Sequence, residues 1–151
     1  NFLGSNLTAF VSYLGLVVGL IIMHASKEEQ KQGKKYFVLV QRVCIMAICS
    51  LLFIYLEFSL LVFGIVLLMI VLLFIKKIVQ SYFYYPLLGL VFYFSLNTPK
   101  LLLMVSVLIF IYGMATSSIL IDFKKKNYLE IILRHVSFLI IILILNIVTM
   151  F

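Results

Sequence analysis

Residues 36–75, YFVLVQRVCIMAICSLLFIYLEFSLLVFGIVLLMIVLLFI, form an almost unbroken apolar run. As one helix the run would be about 60 Å long, twice the ~30 Å hydrocarbon thickness of a bilayer. It must therefore fold back, and the polarity near its middle lies at Tyr55, Glu57 and Ser59. The reading is two spans, 36–55 and 59–76, joined at a turn near Glu57 that no Pro or Gly marks.

The rest of the chain extends this pattern. Hydrophobic residues make up 66% of the 151 positions and charged residues 11%, against about 25% charged in a typical soluble domain. Too little polar surface exists to cover a soluble fold. Further apolar segments at 5–25, 81–97, 100–121 and 130–150 complete six spans in a single domain over 1–151. The expected class is all-α, a polytopic transmembrane helical bundle with both termini on the outer side.

Charge sets that orientation. Read as six crossings, Lys27, Lys31, Lys34, Lys35, Arg42, Lys76, Lys77, Lys124, Lys125, Lys126 and Arg134 fall on one side, and Lys100 alone on the other. Lys and Arg concentrate on the cytoplasmic side of multi-pass proteins, so these loops are expected to be cytoplasmic at the cell membrane. The net charge of +7 then implies contact with anionic headgroups. No basic domain exists to dock nucleic acid.

Segment 81–97 is the short one, about 24 Å of helix. Tyr82, Phe83, Tyr84 and Tyr85 read as an aromatic interface belt, with Pro86 in the first helical turn. A re-entrant loop here would strand Lys124–Lys126 and Arg134 on the outer side, so charge favours a crossing. The polar stretch 26–35 reads as a loop with Gly33 at a turn or cap. The first apolar segment has its charges after it, the reverse of a secretory signal, and reads as a retained helix.

Candidate functional residues cluster at the basic end. His24, Glu28, Asp122 and His135 are the candidate catalytic or metal-ligating side chains, with His24 and Glu28 on one face if the helix continues. Lys34, Lys35, Arg42 and Arg134 are candidate headgroup or phosphate contacts. Arg42 either snorkels to the surface or pairs with Asp122, Glu130 or the Glu28–Glu29 loop, with Gln41 beside it. The competing reading of the whole set is a solvated loop face. No metal-binding or Gly-rich phosphate motif occurs, and no cofactor or metal is expected. Cys44 and Cys49 point about 140° apart on a helix and read as packing residues.

Gly15 and Gly19 make a G-x-x-x-G pattern, and Gly113 and Ser117 repeat the spacing, with Ser106 one heptad earlier. Small-residue faces let helices approach closely in lipid. The expectation is that spans one and five pack together, bringing His24 near Ser117 and Asp122; the alternative is a helix from another subunit. Asn6-Leu7-Thr8 matches a glycosylation pattern but abuts the membrane, and Asn146 reads as an interhelical hydrogen-bonding residue.

The stretch Lys27-Glu28-Glu29-Gln30-Lys31-Gln32-Gly33-Lys34-Lys35-Tyr36-Phe37 resembles a loop in small archaeal membrane proteins of unassigned activity. Tyr112-Gly113-Met114-Ala115-Thr116-Ser117-Ser118 is similar to their later Y-G-x-x-T/S pattern. Their pattern has Pro before the acidic pair and Pro-Thr-Gly after Tyr-Gly, where this chain has Lys27 and Ala115-Thr116-Ser117. The resemblance implies a prokaryotic plasma-membrane protein and no particular activity.

Three functions follow in order of support. The first is a non-enzymatic subunit or scaffold that partners other membrane subunits, favoured by the sparse polar content of the spans. The second is a small transporter or channel, for which Ser50, Ser106, Asn146 and the cysteines would have to line a path. The third is a lipid-headgroup enzyme using His24, Glu28, Asp122, Arg42 and His135.

Overall fold

The computed structural model describes residues 2–56, 59–74 and 77–149, and for residues 2 and 77–81 the backbone alone. Every regular element among the described residues is helical. They are α1 (Phe2–Ala25), a 3-10 turn (Lys27–Glu29), α2 (Gln30–Tyr55), α3 (Leu60–Leu72), α4 (Lys77–Ser95), α5 (Pro99–Leu120), α6 (Tyr128–Arg134) and α7 (Ser137–Val148). Among the described residues, four stretches are long and apolar enough to cross a membrane: Leu3–Ala25, Lys27–Tyr55, Pro99–Leu120 and Tyr128–Val148. The chain is an integral membrane protein of helical type.

The long apolar run breaks between Tyr55 and Leu60. Ser59 restarts the helix by accepting a hydrogen bond from the Val62 amide through its side chain, at 3.2 Å, which satisfies one orphan donor of the first turn. Glu57 and Lys76 lie outside the described residues. Pro99 opens α5 at its first turn, where its missing N–H has no helical partner to lose.

α5 is the centre of the bundle, with its longest contact along α1 and further contacts with α2 and α4. α4 packs on α7 as well. The α1–α5 seam is backbone on backbone. A Cβ at Gly15 would fall on the Phe110 carbonyl and lie 2.8 Å from its Cα. One at Gly19 would lie 2.7 Å from Met114 Cα, and one at Gly113 would lie 2.9 Å from the Leu16 amide nitrogen. Where lipid is as apolar as the side chains, such van der Waals contact holds helices together. Leu16, Ile45, Leu88, Leu101, Val105 and Phe138 fill the core around this seam.

Four local expectations differ from the structure. Gly33 is not a turn; α2 begins at Gln30 and carries it inside the helix, where the flanking Lys and Gln residues, good helix formers, outweigh it. Pro86 lies inside α4 rather than in its first turn, since the nine residues before it continue the helix upstream to Lys77. The aromatic belt does not form as a unit. A helix turns 100° per residue, so Phe83 faces outward while Tyr84 and Tyr85 enter the core at 1% exposure each.

The last span is also not one continuous helix. Nδ1 of His135 donates to the Ile131 carbonyl at 2.6 Å, the acceptor that the His135 amide would use in an α-helix. That amide turns instead to the Ile132 carbonyl at 3.3 Å. A side chain inserted into the i→i−4 ladder is a recognised cause of a kink, and α6 and α7 separate at His135 and Val136. The Tyr13 hydroxyl of α1 donates to the Ile132 carbonyl at the same break.

Candidate functional site

The two loops rich in Lys meet at one end of the bundle. Gln30 donates to the Ser118 carbonyl at 3.2 Å and to the Ile121 carbonyl at 2.8 Å, tying the start of α2 to the end of α5. Lys27 lies 5.5 Å over the Phe123 ring, a cation–π distance.

The candidate residues take separate places around this end. His24, exposed at the end of α1, meets the Tyr128 hydroxyl through Nδ1 at 3.0 Å. Glu28 is exposed on the 3-10 turn; α1 stops at Ala25, so the shared helical face with His24 does not form. Asp122 shapes its own turn: its Oδ1 accepts from the Lys124 amide at 3.0 Å and from the Lys125 amide at 3.4 Å. Asn127 closes that turn, accepting from the Asp122 amide at 2.8 Å and donating to the Leu120 carbonyl at 3.1 Å. Side chains of Asp and Asn stabilise turns in just this way. Lys34 and Lys35 are exposed along the first turns of α2.

Arg42 is exposed and makes no ion pair among the described residues. Glu130, one of its candidate partners, pairs with Arg134 at 2.5 Å. Gln41 turns inward and donates to the Thr116 hydroxyl at 2.8 Å. Arg134 also donates to the Tyr82 hydroxyl at 2.7 Å and lies 5.4 Å over that ring. A cleft of about 250 Å³ runs between these groups, lined in part by Tyr82, Asp122, Lys125 and Arg134.

His135 is behind that cleft rather than in it, fully buried at 0% exposure. The Tyr82 ring stacks on it at 5.4 Å and the Tyr85 ring meets it edge-on at 4.6 Å. Its Nε2 and the Tyr85 hydroxyl are both buried with no hydrogen-bond partner among the described residues. Among the described residues, His24, Glu28 and His135 do not line the cleft that Asp122 borders. No three His, Cys, Asp or Glu side chains gather to hold a metal ion among the described residues.

The Tyr85 hydroxyl makes a sharp test. An unsatisfied buried donor costs about 1–3 kcal/mol, so Tyr85→Phe is expected to leave stability unchanged or raise it. The adjacent Tyr84 donates to the Met69 carbonyl at 2.7 Å, and Tyr84→Phe is expected to cost about 1 kcal/mol. Unfolding by titration with sodium dodecyl sulfate, followed by far-UV circular dichroism, measures both. A larger loss for Tyr85→Phe than for Tyr84→Phe would show that its hydroxyl is bonded in the native state.

A second polar region occupies the opposite end. Asn146, 6% exposed in α7, donates its amide to Asn6 at 3.0 Å and to Ser5 at 3.4 Å, joining α7 to α1. Asn146 and Ser5, with Thr8, Tyr93, Asn97 and Thr149, border a cleft of about 750 Å³. Sequence reading singled out Asn146 from its polarity in an apolar helix. It missed the cleft, whose walls come from four helices and the 96–98 turn.

Compared with known families, curated proteins and solved structures, the chain matches none of them.

Proposed function

We propose that this chain is a non-enzymatic subunit of a membrane assembly, crossing six times with its basic loops cytoplasmic and both termini outside. The observation that carries the reading is how the polar groups inside the spans are spent. Ser12, Ser50, Ser106, Thr116 and Ser118 each donate to the carbonyl four residues earlier in their own helix. Hydroxyls bonded this way have spent their donor within their own helix, which favours a packing role over a solute path. The dispersal of His24, Asp122 and His135 speaks against a headgroup enzyme, which needs its groups within direct reach.

In this reading α3 and α4 supply the two crossings beyond the four long ones. α3 has 13 residues, about 20 Å of helix against a ~30 Å hydrocarbon core. A span that short is accommodated by thinning the bilayer or by association. α3 carries Leu61 and Leu67 on its exposed side, and Gly64 has nothing within 4 Å of where a Cβ would stand. That notch fits a neighbouring helix. The loop resemblance is consistent with a prokaryotic plasma membrane.

A photo-crosslinking residue at Leu61 or Leu67 in native membranes is expected to yield a protein adduct. The same residue at the exposed Ile144 of α7 is expected to yield lipid adducts alone. Lipid adducts alone from all three positions would overturn the reading. Orientation is tested by cysteine labelling in a background lacking Cys44 and Cys49: Lys34→Cys and Lys125→Cys should react from the cytoplasmic side and Asn97→Cys from the outside.

A further inference from the structure

We propose that the cleft at the Asn146 end binds an uncharged, hydroxyl-rich ring, a glycosyl group carried by a lipid or free in solution. Its volume of about 750 Å³ lies within the 300–1,000 Å³ range of small-molecule sites. Its lining among the described residues contains no charged side chain. An ionic ligand would be desolvated there without a counter-charge, which is costly. The other end of the bundle, with its Lys loops, offers the reverse environment.

The polar groups that remain match a sugar. Asn146 is more than nine-tenths buried, yet only its amide nitrogen is used. Its side-chain oxygen makes no hydrogen bond among the described residues, while the residue borders the cleft. An oxygen open to the cleft can accept from a ligand hydroxyl. Asn97, exposed on the turn after α4, also lines the cleft. An amide both donates and accepts, so a pair of them can grip adjacent hydroxyls.

Tyr93 and Phe94 add the apolar half. Both are half-buried on the cleft wall, with ring centroids 6.0 Å apart in an edge-on arrangement. An aromatic wall with a few fixed polar groups is the usual composition of a small-molecule site, and the C–H face of a sugar ring is the apolar surface that such a wall accepts. The cleft is bounded by the N-terminal turns of α1 and α5 and the C-terminal turns of α4 and α7. If those helices span, it lies at headgroup depth.

The test uses the full chain in nanodiscs of monoglucosyl diacylglycerol, phosphatidylcholine and phosphatidylglycerol in equal amounts with matched acyl chains. Lipids retained on release are counted by native mass spectrometry. Saturation-transfer NMR with methyl glucoside on the micelle-bound protein reads the free sugar. The expected result is preferential retention of the glucosyl lipid, or saturation transfer to the glucoside. The first outcome alone identifies the headgroup as the source and the second alone the free saccharide. Asn146→Leu and Asn97→Ala are each expected to weaken binding about threefold to tenfold, the worth of one or two neutral hydrogen bonds. Asn97→Ala is the safeguard, because the Asn97 side chain makes no hydrogen bond among the described residues and its truncation is expected to leave the bundle intact. Equal retention of the three lipids with no transfer to the glucoside overturns the proposal. So does a glucosyl preference that Asn97→Ala leaves unchanged.

Discussion

Replacing Gly15 by alanine is expected to part α1 from α5 and cost more stability than any other single methyl group added to the protein. The added carbon would land on the Phe110 carbonyl, with Phe110 Cα at 2.8 Å. Backbone cannot move aside as a side-chain tip can, so the helices must separate along their length. Inserting one carbon into a packed interior typically costs about 1–3 kcal/mol, and this site belongs at or above the upper end. Gly19→Ala, against Met114 backbone, should follow closely. Gly64→Ala is the control: in the isolated chain it meets nothing within 4 Å and removes a residue that weakens helices, so there it should cost nothing. Detergent-denaturation midpoints for the three variants give the comparison. Equal midpoints for Gly15→Ala and Gly64→Ala would mean that α1 and α5 are not in backbone contact.

Phe138→Ala is expected to be the most damaging truncation. The ring is fully buried and touches rings from two other helices: Tyr13 of α1 at 6.4 Å, and Tyr85 and Phe92 of α4 at 6.4 and 5.9 Å. Removing it leaves a void where α1, α4 and α7 converge. Truncations of Phe to Ala in protein cores cost about 3–5 kcal/mol, with the loss growing with the cavity that remains. Lipid chains cannot reach an enclosed site, so the void stays empty. Phe138→Leu should recover more than half of the loss, since it refills most of the space. A loss below about 1 kcal/mol, no more than an ordinary surface change, would place Phe138 outside the native core.

The sequence made the fold-back after Tyr55 legible because length alone decided it: no bilayer accommodates a helix of about 60 Å. The glycine spacings of α1 and α5 were legible for a similar reason, since small residues at helical period have few uses in lipid. The break at His135 was not, because it depends on a ring nitrogen reaching the Ile131 carbonyl, a choice of rotamer that residue order does not reveal. The burial of Tyr84 and Tyr85 was hidden by their company: four consecutive aromatic residues read as a belt until the helix phase separates their faces. At the basic end, residue type suggested a cluster of His24, Glu28, Asp122 and His135. Their backbone placement sends His24 to Tyr128, Asp122 to its own turn and His135 into the interior.

The seam between α1 and α5 also has a consequence in time. The ribosome releases about 5–20 residues per second, and roughly 75 residues separate the end of α1 from the start of α5. For about 4–15 seconds at that pace, the first helix exists without the surface its glycines were shaped for. During that interval the notch at Gly15 and Gly19 is open to any small-faced helix that passes, including the α1 of a second nascent chain. Expression at a slowed elongation rate should therefore raise the fraction of misassembled protein, and co-expression of α1 as a separate peptide should raise it further.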